Sequence, residues 1–292
     1  MNKNSKCNIL LGFCNLIKSS VSIILASVLV LNANATELED LDEYKDIKYR
    51  EEITVGVSNN APGLAYCDPI TNEYSGYEID IAKLIAKQLG VSVEFVPVTP
   101  VNRMEFLNDK TVDLVISYCT ITEERKKFVD FSDPYFTDRV SVLVEKKSGL
   151  KNLKDLVGGK IGVINKTTSA LALVKEMIAQ GIIDAPDFDE NTFDAENWTN
   201  GISFVGFDSY AEINKALARN RISGYCNDRI ELLMYRNIRR QLINAAFAPQ
   251  EYGIVFKKGS ELMPFINEWV KKWKNDGTFH NLREIHGIYF ND

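Results

Sequence analysis

The chain has 292 residues, 34 of them lysine or arginine and 40 aspartate or glutamate, for a formal net charge of −6. An acidic chain without a basic stripe is not expected to bind nucleic acid. Its two histidines, His280 and His286, both lie near the C-terminus, which leaves a zinc site short of ligands and any histidine-based triad dependent on the tail; no metal and no cofactor are expected.

The first predicted element is a signal peptide, residues 1–35. Lys3, Lys6 and Lys18 precede an apolar run over 21–31, and Ala33-Asn34-Ala35 supplies a small-x-small cleavage site. The run is too short to span a bilayer, and bulky Phe13 before Cys14 argues against lipidation. Removing 35 of the 292 residues leaves 257, and with them go three lysines and no acid, so the charge moves from −6 to −9. Export across the inner membrane implies a periplasmic, oxidising compartment, yet Cys67, Cys119 and Cys226 form an odd set without C-x-x-C spacing.

Residues 36–50 are charged and read as a mobile lead-in. A buried strand over 53–57 leaves through the turn-rich 58–64. Ile81, Ala82, Ile85 and Leu89 mark one face of a helix stopped by Gly90. A strand over 91–96, a short helix over 101–108 and a strand over 112–116 follow. Alternation of this kind predicts a mainly parallel sheet covered on both sides. Ligands gather beyond the carboxyl ends of such strands, so the exits 58–64 and 117–120 share a rim.

At that rim, Leu114 to Ile116 pass through Ser117 to Thr120 into Thr122-Glu-Glu-Arg125, a capped helix start. Backbone N–H groups at such a turn form an anion seat, and Arg125 adds a planar fork suited to a carboxylate. Taken alone, the stretch also reads as a strand, a turn and a solvated charged helix face.

After Tyr135 the pattern restarts, with strands over 140–144 and 160–164. The exit Asn165-Lys-Thr167-Thr168-Ser169 opens a helix over 170–179, and no P-loop spacing is present; by itself this is also an ordinary N-cap. Residues 181–201 form an acidic insertion without EF-hand spacing, read as a solvated loop. Tyr210, Ile213 and Leu217 line a helix, and the next strand ends in the acid Asp228. A strand over 252–256 returns toward the first sheet. Leu262, Phe265, Ile266, Trp269, Val270 and Trp273 then mark an amphipathic helix whose tryptophans belong to the core.

The chain thus divides into two α/β halves facing across a cleft, 51–137 with 251–292 as the first lobe and 138–250 as the second. Arg125 stands on one side and Asp228 on the other. A free amino acid is a zwitterion that needs one fixed charge of each sign. Since buried charges persist only when paired, the cleft favours this class of guest, and charges supplied by different lobes make the guest stabilise the closed form.

Gly76-Tyr-Glu-Ile-Asp80, Asn102-Arg103, Val112-Asp113-Leu-Val, Thr120-Ile-Thr-Glu-Glu-Arg125, Asp130-Phe-Ser-Asp-Pro-Tyr135 and Glu251-Tyr-Gly-Ile254 stand in the order found in the family 3 extracellular solute-binding proteins, the amino-acid receptors of ABC importers, which the chain resembles over about 52–289. The resemblance implies a type II periplasmic-binding fold, two mixed, mainly parallel sheets flanked by helices around a hinged cleft. It also implies a monomer that delivers its guest to an ABC permease and performs no catalysis. By this likeness Arg125 clamps the α-carboxylate with Thr120 and the backbone at Tyr118, Thr167 and Thr168 donate from the second lobe, and Asp228 takes the α-ammonium. Asn60, at the first strand's exit, joins this set, and hinge strands are placed near 137–140 and 248–251.

Two departures stand out: the loop 181–201 is longer than usual in the family, and Lys-Thr-Thr-Ser replaces a common Gly-Thr, which restricts close backbone approach. Pro62-Gly-Leu with Asn102-Arg103 resembles the branch for glutamate, aspartate or glutamine, with Arg103 and Arg139 as partners for a distal carboxylate; each also reads as a surface or helix-end arginine. A basic guest would call on Asp68 or Asp138. Cys67 and Cys119 share a rim and are expected to be bridged. The competing reading is a periplasmic enzyme on the same fold, similar to cyclohexadienyl dehydratase, with Glu78 and Glu251 as the spare acids nearest the rim.

Overall fold

Residues 37–288 are described by the computed structural model, and the expected signal peptide lies outside them. In chain order come β1 (Glu52–Val57), a small antiparallel sheet of β2 (Asn60–Ala61), β3 (Ala65–Cys67) and β4 (Tyr74–Ser75), then β5 (Ser92–Pro97), β6 (Leu114–Ile116) and β7 (Val129–Phe131). The second group is β8 (Phe136–Glu145), β9 (Lys160–Ile164), β10 (Ser203–Phe207), β11 (Gly224–Asp228), β12 (Arg240–Leu242) and β13 (Phe247–Tyr252), after which β14 (Val255–Lys257) rejoins the first.

The first sheet has the order β5-β1-β6-β14-β7 and the second β10-β9-β11-β8-β12, with β13 also on β8. Strands separated by crossover helices run parallel: β1 with β5 and β6, β9 with β10 and β11. Antiparallel pairs arise at β14 and along β8. Ile53, Val55 and Val57 on one face of β1 are fully buried and Thr54 and Gly56 on the other are buried as well, so the strand is covered on both faces, as in a parallel sheet.

The two sheets are joined where β8 and β13 lie side by side, Thr137 opposite Glu251 and Asp138 opposite Gln250. An isolated bridge between Thr120 and Tyr252 ties the end of β13 back to the first sheet's rim. Chain entering and leaving the second lobe thus passes through one two-stranded ribbon, a narrow connection of the kind that accommodates hinge motion.

The helix Tyr77–Leu89 buries Ile81, Ala82, Ile85 and Leu89 and ends at Gly90, whose left-handed conformation returns its N–H to Ala86 and Lys87 carbonyls. At its other end Gly76 has φ +131°, and a Cβ there would stand 2.2 Å from the Leu64 carbonyl oxygen. Only glycine lets the β2–β3–β4 sheet press against the helix start this closely.

Three expectations need correction. Residues 42–50 are no mobile lead-in but a helix, Asp42–Arg50, with acids in its first turn, bases in its last and Ile47 buried. Glu43 accepts from the Ser260 hydroxyl and Leu262 N–H, which pins it to the first lobe. Cys67, Cys119 and Cys226 are free thiols, so no bridge joins Cys67 to Cys119. The insertion 181–201 has neither helix nor strand, but Phe188, Phe193 and Trp198 pack there in tilted and edge-on pairs with ring centroids within 6.1 Å of one another, so apolar contact as well as solvation shapes it.

Candidate functional site

Beyond the carboxyl end of β6, the Thr122 hydroxyl caps the helix Glu123–Lys126 by accepting from the Arg125 N–H at 3.2 Å. This turn aims Arg125 across the rim. Its Nη1 donates to the Thr120 carbonyl at 2.7 Å and its Nη2 to the Lys166 carbonyl, on the opposite lobe, at 2.9 Å. Burial lowers the Arg125 pKa, but a guanidinium keeps its charge at any ordinary pH.

Asp228 ends β11 on the facing side, buried, with Oδ2 accepting from the Tyr252 hydroxyl at 2.7 Å. Its Oδ1 has no partner among the described residues. Burial, then the charge of Asp138, push its pKa to about 7. Arg125 and Asp228 line one cleft, together with Arg103, Tyr118, Thr120, Thr167 and Thr168. Pro100, Tyr210 and Asn227, which sequence reasoning missed, complete its wall.

The threonines are held in unequal ways. Thr120 Oγ1 donates to Gln250 Oε1 at 3.0 Å and Thr168 Oγ1 to the same oxygen at 2.7 Å, so a glutamine on the hinge ribbon gathers one hydroxyl from each lobe. Thr167 Oγ1 donates to the Ile164 carbonyl within its own turn at 2.7 Å. Its hydroxyl serves the turn, while the residue still lines the cleft.

Tyr118 departs from expectation. Its N–H donates to Glu78 Oε1 at 2.6 Å, with φ at +31°; a bulky residue in this region is strained and persists only when its surroundings hold it there. The backbone is thus committed to Glu78. The phenol is what lines the cleft, meeting the Tyr210 hydroxyl at 2.8 Å from across it. Burial pushes the Glu78 pKa to about 7.

Arg103 is buried at the wall, its Nη1 donating to the Ser117 carbonyl at 2.8 Å while Nε lacks a partner among the described residues. Asn60 is exposed on β2, accepts from the Ser58 hydroxyl and is absent from the cleft wall. A two-residue strand turned into the small sheet carries it away. Arg139 and Glu251 are exposed on the hinge ribbon. Asp68 accepts from Ile70 and Thr71 N–H groups in a turn, while Asp138 is buried behind Tyr252, with its pKa raised by burial to about 6. Among the described residues no cluster of three or more histidine, cysteine or acidic side chains is arranged to hold a metal ion, and no helix is long and apolar enough to cross a membrane.

The model of the bacterial extracellular solute-binding proteins, family 3, matches residues 53–288. The glutamine-binding protein of an ABC transporter in Bacillus subtilis (strain 168) is 31% identical over 258 residues, 86% of each chain. A mutant of ArgBP from T. maritima superposes with a TM-score of 0.69 at 29% identity, covering 85% of this chain and 100% of that one. An ancestral amino-acid-binding protein described as a precursor of cyclohexadienyl dehydratase gives 0.65 at 30% identity, covering 82% and 97%. These neighbours share the type II periplasmic-binding fold.

Proposed function

The chain belongs to the bacterial extracellular solute-binding proteins, family 3, and from that premise we propose that it captures a free L-amino acid between its lobes, outside the cytoplasm and as a monomer, and passes it to an ABC permease. The observation that carries this reading is the placement of Arg125 and Asp228 on one cleft from opposite lobes. A zwitterion satisfies both charges at once. Asp228 Oδ1, buried and unpartnered, is the acceptor an ammonium would complete. The α-carboxylate would meet Arg125, Thr120 and the turn at Thr168. Closure follows because each lobe holds one end of the guest.

The three ligands expected from Arg103 are not equivalent in this setting. Glu78, Asp138, Asp228 and Glu231 are all buried, Asp228 on the cleft wall itself, and burial raises the pKa of each. A second negative charge from glutamate or aspartate raises the cost of ionising those acids, whereas glutamine or a cationic side chain does not.

The enzymatic alternative has one observation in its favour: Asp228, near pH 7 and facing the cleft, matches a general acid or base. Glu78 and Glu251 do not line the cleft. Aromatic product from a cyclohexadienyl substrate would support catalysis.

Thermal shift against the twenty amino acids tests the binding reading. A ligand at about 100 times its dissociation constant adds roughly 2.7 kcal/mol of stability. Arg125→Ala should abolish the shift, and a flat response of the unaltered protein to all twenty would refute the proposal.

A further inference from the structure

Glu231 is a buried acid with no part in holding an α-amino acid's two main-chain charges. It lies in the short helix Arg229–Met234, three residues beyond Asp228, fully buried, with neither carboxylate oxygen in full hydrogen-bond geometry among the described residues, although the Tyr235 and Tyr118 hydroxyls stand close enough to lower its pKa. No ion pair among those residues includes it. Its charge acts on the hydroxyls of Tyr118, Tyr210, Tyr225 and Tyr235. Two of these, Tyr118 and Tyr210, form the cleft wall itself, so Glu231 stands one layer behind it.

That wall is divided between the lobes. Tyr118 comes from the rim of the first sheet and Tyr210 from the helix Tyr210–Ala218 of the second, and their hydroxyls meet at 2.8 Å. Lobe opening separates them, and a side chain interposed before closure would reach the carboxylate behind. A buried carboxylate approached only by two phenol hydroxyls is satisfied by a donor-rich cation, and the phenol rings on the way offer favourable faces to such a group. Arg103 is held at Ser117 and is not among the charges acting on Glu231.

We infer that Glu231 selects a dibasic amino acid of the arginine or lysine type, whose side-chain cation passes between Tyr118 and Tyr210 and pairs with the Glu231 carboxylate. This rests on the amino-acid-binding reading and names the guest class for the same cleft. Without a guest, burial and the neighbouring Asp228 push the Glu231 pKa to about 8, so the carboxyl keeps its proton at neutral pH. An arriving cation releases that proton to solvent as it takes its place.

Isothermal titration of the full chain with arginine and with citrulline, which has nearly the same shape and no side-chain charge, tests this. Arginine should be preferred by about tenfold or more, and Glu231→Gln should bring the ratio down by about tenfold. Arginine should also release more protons at pH 7 than citrulline, measured in two buffers of different ionisation enthalpy, a readout that needs no variant. Equal affinities in the unaltered protein, or a ratio unchanged in Glu231→Gln, would overturn the assignment. Binding of neutral or acidic amino acids without arginine or lysine would sink this inference alone, whereas no binding by any amino acid would sink the parent reading as well.

Discussion

The Tyr252 hydroxyl donates to Asp228 Oδ2 at 2.7 Å. Tyr252 ends the hinge strand β13 and is bridged to Thr120 on the first lobe, so one phenol fixes the second lobe's acid relative to the first lobe's rim. The Tyr252 hydroxyl oxygen also lies 3.2 Å from Asp138 Oδ2, but a hydroxyl has a single proton to donate. Two buried acids therefore compete for it, and their mutual repulsion adds to burial in raising Asp228.

Asp228→Asn should remove binding of any amino acid while leaving the unliganded fold as stable or more so. The guest's ammonium loses the carboxylate that pairs with it, a loss of about 3–5 kcal/mol for a buried pair broken on one side. The unliganded protein loses a carboxylate that burial already disfavours. Calorimetric titration and thermal melts of the same preparation check both halves, and retained micromolar affinity would remove Asp228 from the site.

Affinity should rise with pH through about 7. Asp228 has a folded pKa near 7, above the unfolded value of about 3.9. The folded state therefore binds the proton more tightly, and unliganded stability falls as pH rises from about 4 through 7. The groups bearing on Asp228 are Asp138 on β8, Tyr252 on β13, Glu231 in the following helix, and Arg103 and Arg125 from the first lobe. A bound ammonium favours the ionised form, so below pH 7 affinity should fall by up to about tenfold per unit; above it a neutral guest levels off, whereas a dibasic guest keeps gaining until Glu231 ionises near pH 8. Titrations between about pH 5.5 and 8.5 check this; an affinity independent of pH across that span contradicts it.

Gln250→Ala should weaken the guest by about 5- to 30-fold, equivalent to roughly 1–2 kcal/mol for two hydroxyls left without their shared acceptor. Thr120 and Thr168 approach Gln250 from different lobes, so the loss falls on the closed form. Small-angle scattering with saturating ligand should show a larger open fraction than the unaltered protein, and equal closure would assign Gln250 a purely local role.

Arg125 and Asp228 were legible because each sits at a local signal, a hydroxyl-capped helix start and an acid at a strand end. The strand over 53–57 was legible for the same reason, a short apolar run bounded by turn residues. Gln250 was not, since its two partners lie 130 and 82 residues away and a polar residue on a hinge strand carries no pattern of its own. Tyr118 misled because its N–H is taken by Glu78, 40 residues earlier. Glu231 resembles a solvated acid on a short helix until burial is known, and in 42–50 the single buried apolar residue, Ile47, is outnumbered by charges.

Gly76→Ala should destabilise the fold far more than Gly149→Ala, although both glycines have positive φ. At Gly149, with φ +75°, an added Cβ meets nothing within 4 Å, so only the conformational penalty applies, about 1 kcal/mol. At Gly76 the same atom would stand 2.2 Å from the Leu64 carbonyl oxygen and 2.5 Å from its carbon. Backbone cannot yield as a side-chain tip does, and the Leu64 carbonyl is already engaged by the Glu78 N–H. Relief requires the small sheet to move off the helix Tyr77–Leu89, which also carries Glu78 away from Tyr118. Urea melts should place the Gly76 variant at least about 2 kcal/mol below the Gly149 variant, with a loss of ligand affinity that Gly149→Ala does not share. Equal midpoints would mean the helix start tolerates a methyl group.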